Sequence, residues 1–350
     1  MPPPRDVEAG ANTRWAGSGR SGLKTSVSGA NAPAWKVVAA FAAVYVIWGS
    51  TYLGILIAIE TMPPFLMAGT RFVIAGGLIY GWSRLRGQGR PARSQWQSAM
   101  MIGTLLLMGG NGAVTWAEQR IPSGVAALMV AITPCWMVLL EWLRPGGTRP
   151  TRHIIAGLLL GITGIALLVG PQSLMGGERI DLIGAGVLMV GSLSWATGSI
   201  YSKHARMLDG PFVTTGMQML CGGGMLVLLA LVTGDFGRLD LAGISLRSVV
   251  AFAYLIGFGA IIGYSAYIWL LRVSTPAKVS TYAYVNPVVA VLLGWAFAGE
   301  ELTARMGVAA LVIIAGVALI TLSTLPRSVP GPSPGTSGTD PYIIRDAEVP

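Results

Sequence analysis

The chain has 350 residues, 53% of them hydrophobic and only 11% Asp, Glu, Lys or Arg, less than half the ~25% charged content of an ordinary soluble domain. So few charges cannot cover the surface of a soluble protein this long, and two cysteines make no disulfide framework. The composition is that of an all-α polytopic membrane protein, whose net charge of +9 reads as the Lys/Arg bias of cytoplasmic loops rather than a nucleic-acid surface.

Residues 1–34 are rich in Gly, Ser, Pro and Ala with scattered Arg, a composition that cannot bury apolar surface. They are expected to form a disordered cytoplasmic tail, and without an apolar stretch they are not a cleaved signal peptide. Ten charge-poor spans follow, each close to the ~20 residues a helix needs to cross the hydrocarbon core. The first lies between Lys36 and Glu60; the second, Pro64 to Ser83, is interrupted by Arg71 alone. The next three lie between Arg93 and Glu118, Arg120 and Glu141, and Arg152 and Glu178. The last five lie between Asp181 and Lys203, Asp209 and Asp235, Arg247 and Arg272, Lys278 and Glu300, and Arg305 and Arg327. A second Pro-, Gly- and Ser-rich tail is expected over 326–350. With the N-terminus inside, 18 of the 24 basic residues fall in inner segments and five in outer loops. That asymmetry predicts both termini in the cytoplasm.

The chain also repeats itself. A shift of 147 residues carries Trp48, Pro64, Phe65, Gly69, Gly76 and Gly77 onto Trp195, Pro211, Phe212, Gly216, Gly223 and Gly224. A shift of 153 carries Gly110, Ala113, Trp116, Pro134 and Trp142 onto Gly263, Ala266, Trp269, Pro287 and Trp295. Five helices in each half require the halves to be inverted relative to each other. Inverted repeats place a substrate site near the bilayer midplane, where rocking of one half against the other gives alternating access. No GxxxxGK[ST] loop is present, so ATP binding of the P-loop kind is excluded and secondary transport is the expected activity.

Span 1 carries Trp48-Gly49-Ser50-Thr51-Tyr52, span 3 carries Gly110-Asn111-Gly112-Ala113-Val114-Thr115-Trp116-Ala117-Glu118, and Pro122-Ser123-Gly124 follows. Span 6 carries Ser194-Trp195-Ala196-Thr197-Gly198-Ser199, and span 9 carries Tyr282-Ala283-Tyr284-Val285-Asn286-Pro287 and closes on Gly299-Glu300. Over residues 37–324 this resembles the EamA family of the drug/metabolite transporter superfamily, its bacterial inner-membrane members above all. The resemblance implies two inverted five-helix EamA repeats, over 35–170 and 181–324, and an exporter-like carrier of the plasma membrane. Its substrates would be small metabolites such as amino acids, or amphipathic compounds. It implies no cofactor, with membrane lipid and a small-molecule substrate as partners of a monomer or homodimer. The Gly-Glu that closes span 9 has no counterpart after span 4, where Pro145-Gly146-Gly147 stands.

Candidate substrate-cavity residues follow from cost in lipid. Asn111, Thr115 and Glu118 lie at i, i+4 and i+7 and share a helix face, with Thr104 and Met108 continuing it. A polar face is expensive in hydrocarbon and should meet the bundle interior. Arg71 is the one charge well inside a span, with Gln218 at its repeat-related position. It either receives a substrate carboxylate, which its forked donors suit, or forms an ion pair with Glu118. Trp48, Tyr52, Trp116, Trp195, Tyr264, Tyr267, Tyr282 and Tyr284 fall within spans rather than at interfaces. Together with Ser199 and Asn286 they suit an aromatic-lined cavity for an amphipathic cargo. Tyr264 stands at the repeat position of Asn111.

Pro134 and Pro287 are matched mid-span prolines, preceded by Thr133 and Asn286, and matched helix breaks point to a transport site. Gly49 and Gly198 mark softer points in spans 1 and 6. Glu141 should pair with Arg144 three residues on, and Glu300 and Glu301 read as interfacial. Gly157 and Gly161 form a small-xxx-small packing motif. Cys135 and Cys221 lie in apolar runs and make no metal site. The spans hold no Asp and no deep His, so no catalytic dyad can be assembled, and an enzyme is not expected. An uncoupled facilitator, a channel-like permease or a non-transporting sensor on the same fold are the alternatives, with Glu118 the titratable candidate for proton coupling.

Overall fold

A computed structural model describes residues 33–144, 149–174, 181–205, 210–274, 279 and 282–323. Residues 1–32 of the expected tail 1–34, the expected tail 326–350, and Pro145-Gly146-Gly147 lie outside the described residues. Among the described residues every regular element is a helix. The first half comprises α1 (Ala34–Ile59), α2 (Pro64–Leu85), α3 (Arg93–Gly103), a π-helical segment (Thr104–Asn111) and α4 (Gly112–Ala117). It continues with α5 (Ser123–Val130), α6 (Thr133–Leu143) and α7 (Arg152–Leu174). The second half comprises α8 (Leu182–His204), α9 (Pro211–Val232), α10 (Leu246–Tyr254), a second π-helical segment (Leu255–Tyr264) and α11 (Ser265–Val273). It ends with α12 (Tyr282–Ala298) and α13 (Ala304–Ser323).

Among the described residues seven helices are long and apolar enough to cross a membrane: Ala34–Ile59, Pro64–Leu85, Arg93–Ala117, Ser123–Leu143, Leu182–Ser202, Phe212–Val232 and Leu246–Val273. Three shorter apolar helices, Arg152–Gly164, Val285–Ala298 and Ala304–Gly316, stand beside them. Large apolar side chains cover the outside, among them Leu78, Leu159, Val190, Val250, Leu292 and Leu311. Such a surface is stable against lipid and costly against water. The protein is a multi-pass membrane protein.

Repeat-related helices meet one another. α2 packs along α9, and α7 along α13. The α2–α9 contact is made by small residues. A Cβ at Gly69 would sit 3.1 Å from Gly223 O, and one at Gly76 2.9 Å from Gly216 O. Gly69 and Gly76 are the repeat counterparts of Gly216 and Gly223, so the backbones touch through matched glycines, as close crossings in lipid favour. Gly157 and Gly161 serve α13 in the same manner, since a Cβ at Gly316 would lie 2.7 Å from Gly157 O and 2.8 Å from Gly161 N.

Charged residues hold the helix ends. Asp235 Oδ2 accepts from Phe65 N at 2.8 Å and Leu66 N at 3.2 Å, capping α2 from the other half of the chain. Asp181 caps α8 through Gly184 N at 2.6 Å and pairs with Arg120 at 3.1 Å. Arg247 pairs with Glu60 at 3.3 Å, and Glu141 with Arg144 at 3.2 Å as its spacing predicts. Glu300, read from sequence as interfacial, reaches back to α5. It accepts from Ser123 N and Ser123 Oγ, both at 2.6 Å, and from Gly124 N at 3.0 Å. Two of these three donors are backbone N–H groups that a helix N-terminus leaves unpaired, and the carboxylate charge suits that end of α5.

Candidate functional site

Both halves contribute a tryptophan to the centre. Trp48 and Trp195, repeat counterparts, meet edge to face with ring centroids 5.5 Å apart. Each sits on a glycine of the opposite half. A Cβ at Gly263 would lie 2.6 Å from Trp48 Nε1, and one at Gly110 2.7 Å from a Trp195 ring carbon. Gly110 and Gly263 are themselves repeat counterparts, so larger residues at either position would displace the rings. Tyr267 backs both indoles, with centroids 4.9 Å from Trp48 and 5.6 Å from Trp195.

The π-helical segments end at Asn111 and Tyr264, the same place in the two repeats. Extra residues of this kind widen the helix, loosen its hydrogen bonds and recur at functional sites. Side chains from the opposite half take up backbone carbonyls within them. Ser194 Oγ donates to Leu105 O at 2.8 Å, and Trp48 Nε1 to Gly259 O at 3.3 Å. Asn111 and Tyr264, the last residues of these segments, both face the cavity.

Two polar pairs result. Arg71 Nη2 donates to Asn111 Oδ1, and Tyr264 donates its hydroxyl hydrogen to Gln218 Oε1 at 2.9 Å. Arg71 and Gln218 are repeat counterparts, as are Asn111 and Tyr264, so the same pair is built twice with different chemistry. The ion pair considered between Arg71 and Glu118 does not form. Arg71 Nε and both Glu118 oxygens have no hydrogen-bond partner in the protein, and both residues are 3% exposed.

A cavity opens between the halves, with about 760 Å³ of empty space including its open mouth. Trp48, Tyr52, Arg71, Asn111, Trp195, Tyr264, Tyr282 and Asn286 line it, all singled out from sequence; Thr51, Val130 and Ser192 line it as well. The other candidates are placed elsewhere. Thr115 is fully buried and its hydroxyl donates to Asn111 O within its own helix at 3.0 Å. Trp116 stacks under the Arg120 guanidinium at 4.7 Å, outside the lining. Glu118 is buried outside the lining, and Ser199 and Tyr267 bond each other at 2.9 Å behind it. The Tyr284 side chain lies outside the described residues.

The two prolines are not equivalent in the fold. The chain turns at Ala131–Ile132, and Pro134 opens the new helix α6. Thr133 Oγ1 donates to Val130 O at 2.6 Å, satisfying an orphan carbonyl of α5. Pro287, by contrast, stays inside the continuous α12. With its amide nitrogen turned toward α1, Asn286 donates to Tyr45 O at 3.1 Å and to Tyr282 O at 3.2 Å. Gly49 receives α12 here, since a Cβ would lie 2.6 Å from Val289 Cβ. Gly198 packs on Leu105 and Leu106, the start of the π-helical segment. Val130, the last residue before the turn, lines the cavity. Sequence reasoning passed over Asp235, Ser192 and the bridging role of Glu300. Among the described residues no cluster of His, Cys, Asp and Glu could hold a metal ion, and Cys135 and Cys221 are buried free thiols.

The EamA-like transporter family model matches residues 35–170 and 182–322. The chain is 40% identical to the inner membrane transporter YedA of Escherichia coli K12 over 282 residues, spanning 80% of this chain and 89% of that one. It is 25% identical to the protein PecM of Dickeya dadantii over 277 residues, 78% of this chain and 88% of that one. A solved crystal structure superposes with a TM-score of 0.60 at 20% identity, covering 83% of this chain and 98% of its own, and shares the fold.

Proposed function

Since the chain belongs to the EamA-like transporter family, we propose that it is a secondary carrier of the bacterial inner membrane that moves a small amphipathic metabolite by alternating access. The observation that carries this reading is the cavity between the two halves. Trp48 and Trp195 meet at its centre, and its walls hold Arg71, Asn111 and Tyr264 at the ends of paired helix irregularities. In this reading the three shorter apolar helices complete ten spans, the repeats are inverted, both termini are cytoplasmic, and export occurs down the ligand's own gradient. The chain works as a monomer or homodimer without a cofactor and carries out no covalent chemistry.

Rocking one half against the other would slide the α2–α9 glycine contact and break and remake the polar contacts that cross between halves. Glu118 lies outside the cavity lining, which favours facilitated over proton-coupled transport. Reconstitution into liposomes tests the reading. Saturable, counterflow-competent uptake that a protonophore leaves unchanged is the expected result. Unsaturable conductance would identify a channel, and no flux of any solute a non-transporting protein.

A further inference from the structure

We infer that the cavity takes an organic monocarboxylate on an aromatic or apolar body, and that Arg71 holds its carboxylate; this rests on the cavity being the carrier's substrate site. The two repeats build the same polar pair, yet only one carries charge. On the second-half side the Tyr264 hydroxyl is used by Gln218, so the cavity meets its ring. On the first-half side Arg71 and Asn111 both line the cavity, and Asn111 occupies a terminal guanidinium nitrogen. Arg71 Nε remains without a partner, although the residue is 3% exposed.

A buried cation with an unused donor is costly unless an anion completes it. A carboxylate suits the planar fork, taking two parallel N–H bonds where a compact anion takes one. The cavity also limits the charge it can accept. No lining residue among those described is a carboxylate; Glu118, within electrostatic reach of Arg71 and Tyr52, lies outside the lining, so a ligand ammonium would find no counter-ion in the wall and would meet the like charge of Arg71. A dianion would leave its second charge unpaired. The remaining wall is aromatic and aliphatic, with Trp48, Trp195, Tyr264 and Tyr282 around Leu107 and Val130, which suits an apolar body. The ligand is therefore an acid without an α-ammonium group, set apart from both cationic drugs and zwitterionic amino acids.

Binding to the purified full-length protein at pH 7 distinguishes these cases, using benzoate, 3-phenylpropionate and octanoate against 2-phenylethylamine, octylamine and phenylalanine. The acids should bind saturably, with the amines and phenylalanine at least tenfold weaker. R71Q should weaken acid binding by about 10–100-fold, the equivalent of about 1.5–3 kcal/mol for a charged hydrogen bond, while R71K retains part of it. R71K, which keeps the charge but loses the planar fork, should still prefer acids while binding them more weakly than the wild type, and it decides the matter if R71Q is not monodisperse. Amines binding as well as acids, or an R71Q protein of wild-type monodispersity binding acids unchanged, would overturn the anion assignment alone. If no compound of any charge binds, the cavity is not a ligand site, and the underlying reading falls with the inference.

Discussion

Tyr264 donates to Gln218 Oε1 at 2.9 Å in the place where the other repeat sets Arg71 against Asn111. The two pairs occupy equivalent positions and have diverged from a common geometry into one neutral and one charged half. A carrier built from repeats can thereby keep a symmetric frame for rocking while its ligand meets an asymmetric site.

The neutral pair has a structural cost attached to it. Y264F removes the hydroxyl that donates to the buried Gln218 oxygen, and an unpaired buried acceptor costs about 1–3 kcal/mol. Thermal unfolding of the purified protein should show a lower midpoint than the wild type. An unchanged midpoint would mean that Gln218 turns to another donor.

Glu300 holds α5 through three donors. E300A should destabilise the protein by about 1–3 kcal/mol, in line with loss of an N-terminal cap and charge-assisted bonds. E300Q should lose less, because one oxygen remains an acceptor, and S123A less again, because only the hydroxyl donor goes. Denaturation of the three variants in one detergent would test that order, and equal losses would contradict it.

Glycine contacts between the halves leave no room for a methyl group. A Cβ at Gly222 would strike the Gly103 carbonyl oxygen, and one at Gly103 would strike Gln218 O. G222A should therefore destabilise by about 1–3 kcal/mol through overpacking. G77A, at a helical glycine with nothing within 4 Å of a Cβ, should be neutral or slightly stabilising. Similar unfolding curves for the two would show that α3 and α9 can move apart freely.

Asp181 supplies a pH dependence. Its carboxyl is held below the usual aspartate range, first by the Gly184 backbone N–H and further by Arg120, against the opposing effect of burial. A depressed folded-state value contributes stability that is present above the unfolded value, near pH 4, and is lost as pH falls through the folded one. Wild-type stability should thus decline below about pH 4 more steeply than that of D181N, as followed by unfolding midpoints across that range. Parallel profiles would show that the cap contributes nothing.

Much of the architecture was legible in the chain itself. Charge-free runs marked the helices because a buried charge is expensive in lipid, and the internal shift marked the repeats. Trp48, Tyr52, Asn111, Trp195, Tyr264 and Asn286 were recognisable as polar or aromatic groups within apolar spans, and all six line the cavity. Glu118 and Thr115 share a face with Asn111 in sequence, yet they lie outside the lining. Helical periodicity reports which residues are neighbours on one helix and is silent about which helix covers them.

Other features came only from the packed molecule. The partner of Arg71 is Asn111 and not Glu118, and Asn111 stands where the π-helical widening ends. That widening is stable because Ser194 and Trp48, from distant helices, absorb backbone carbonyls in the two widened segments. Pro134 opens a new helix while Pro287 is carried within one: Thr133 takes up the carbonyl left open at the break in the first case, and Asn286 ties the second helix to α1. Sequence determined where apolar and polar groups stand along each helix, since that follows from local spacing and the solvent. Tertiary structure decided which of those groups meet, since hydrogen bonds form across the bundle only when distant segments bring donor and acceptor within about 3 Å.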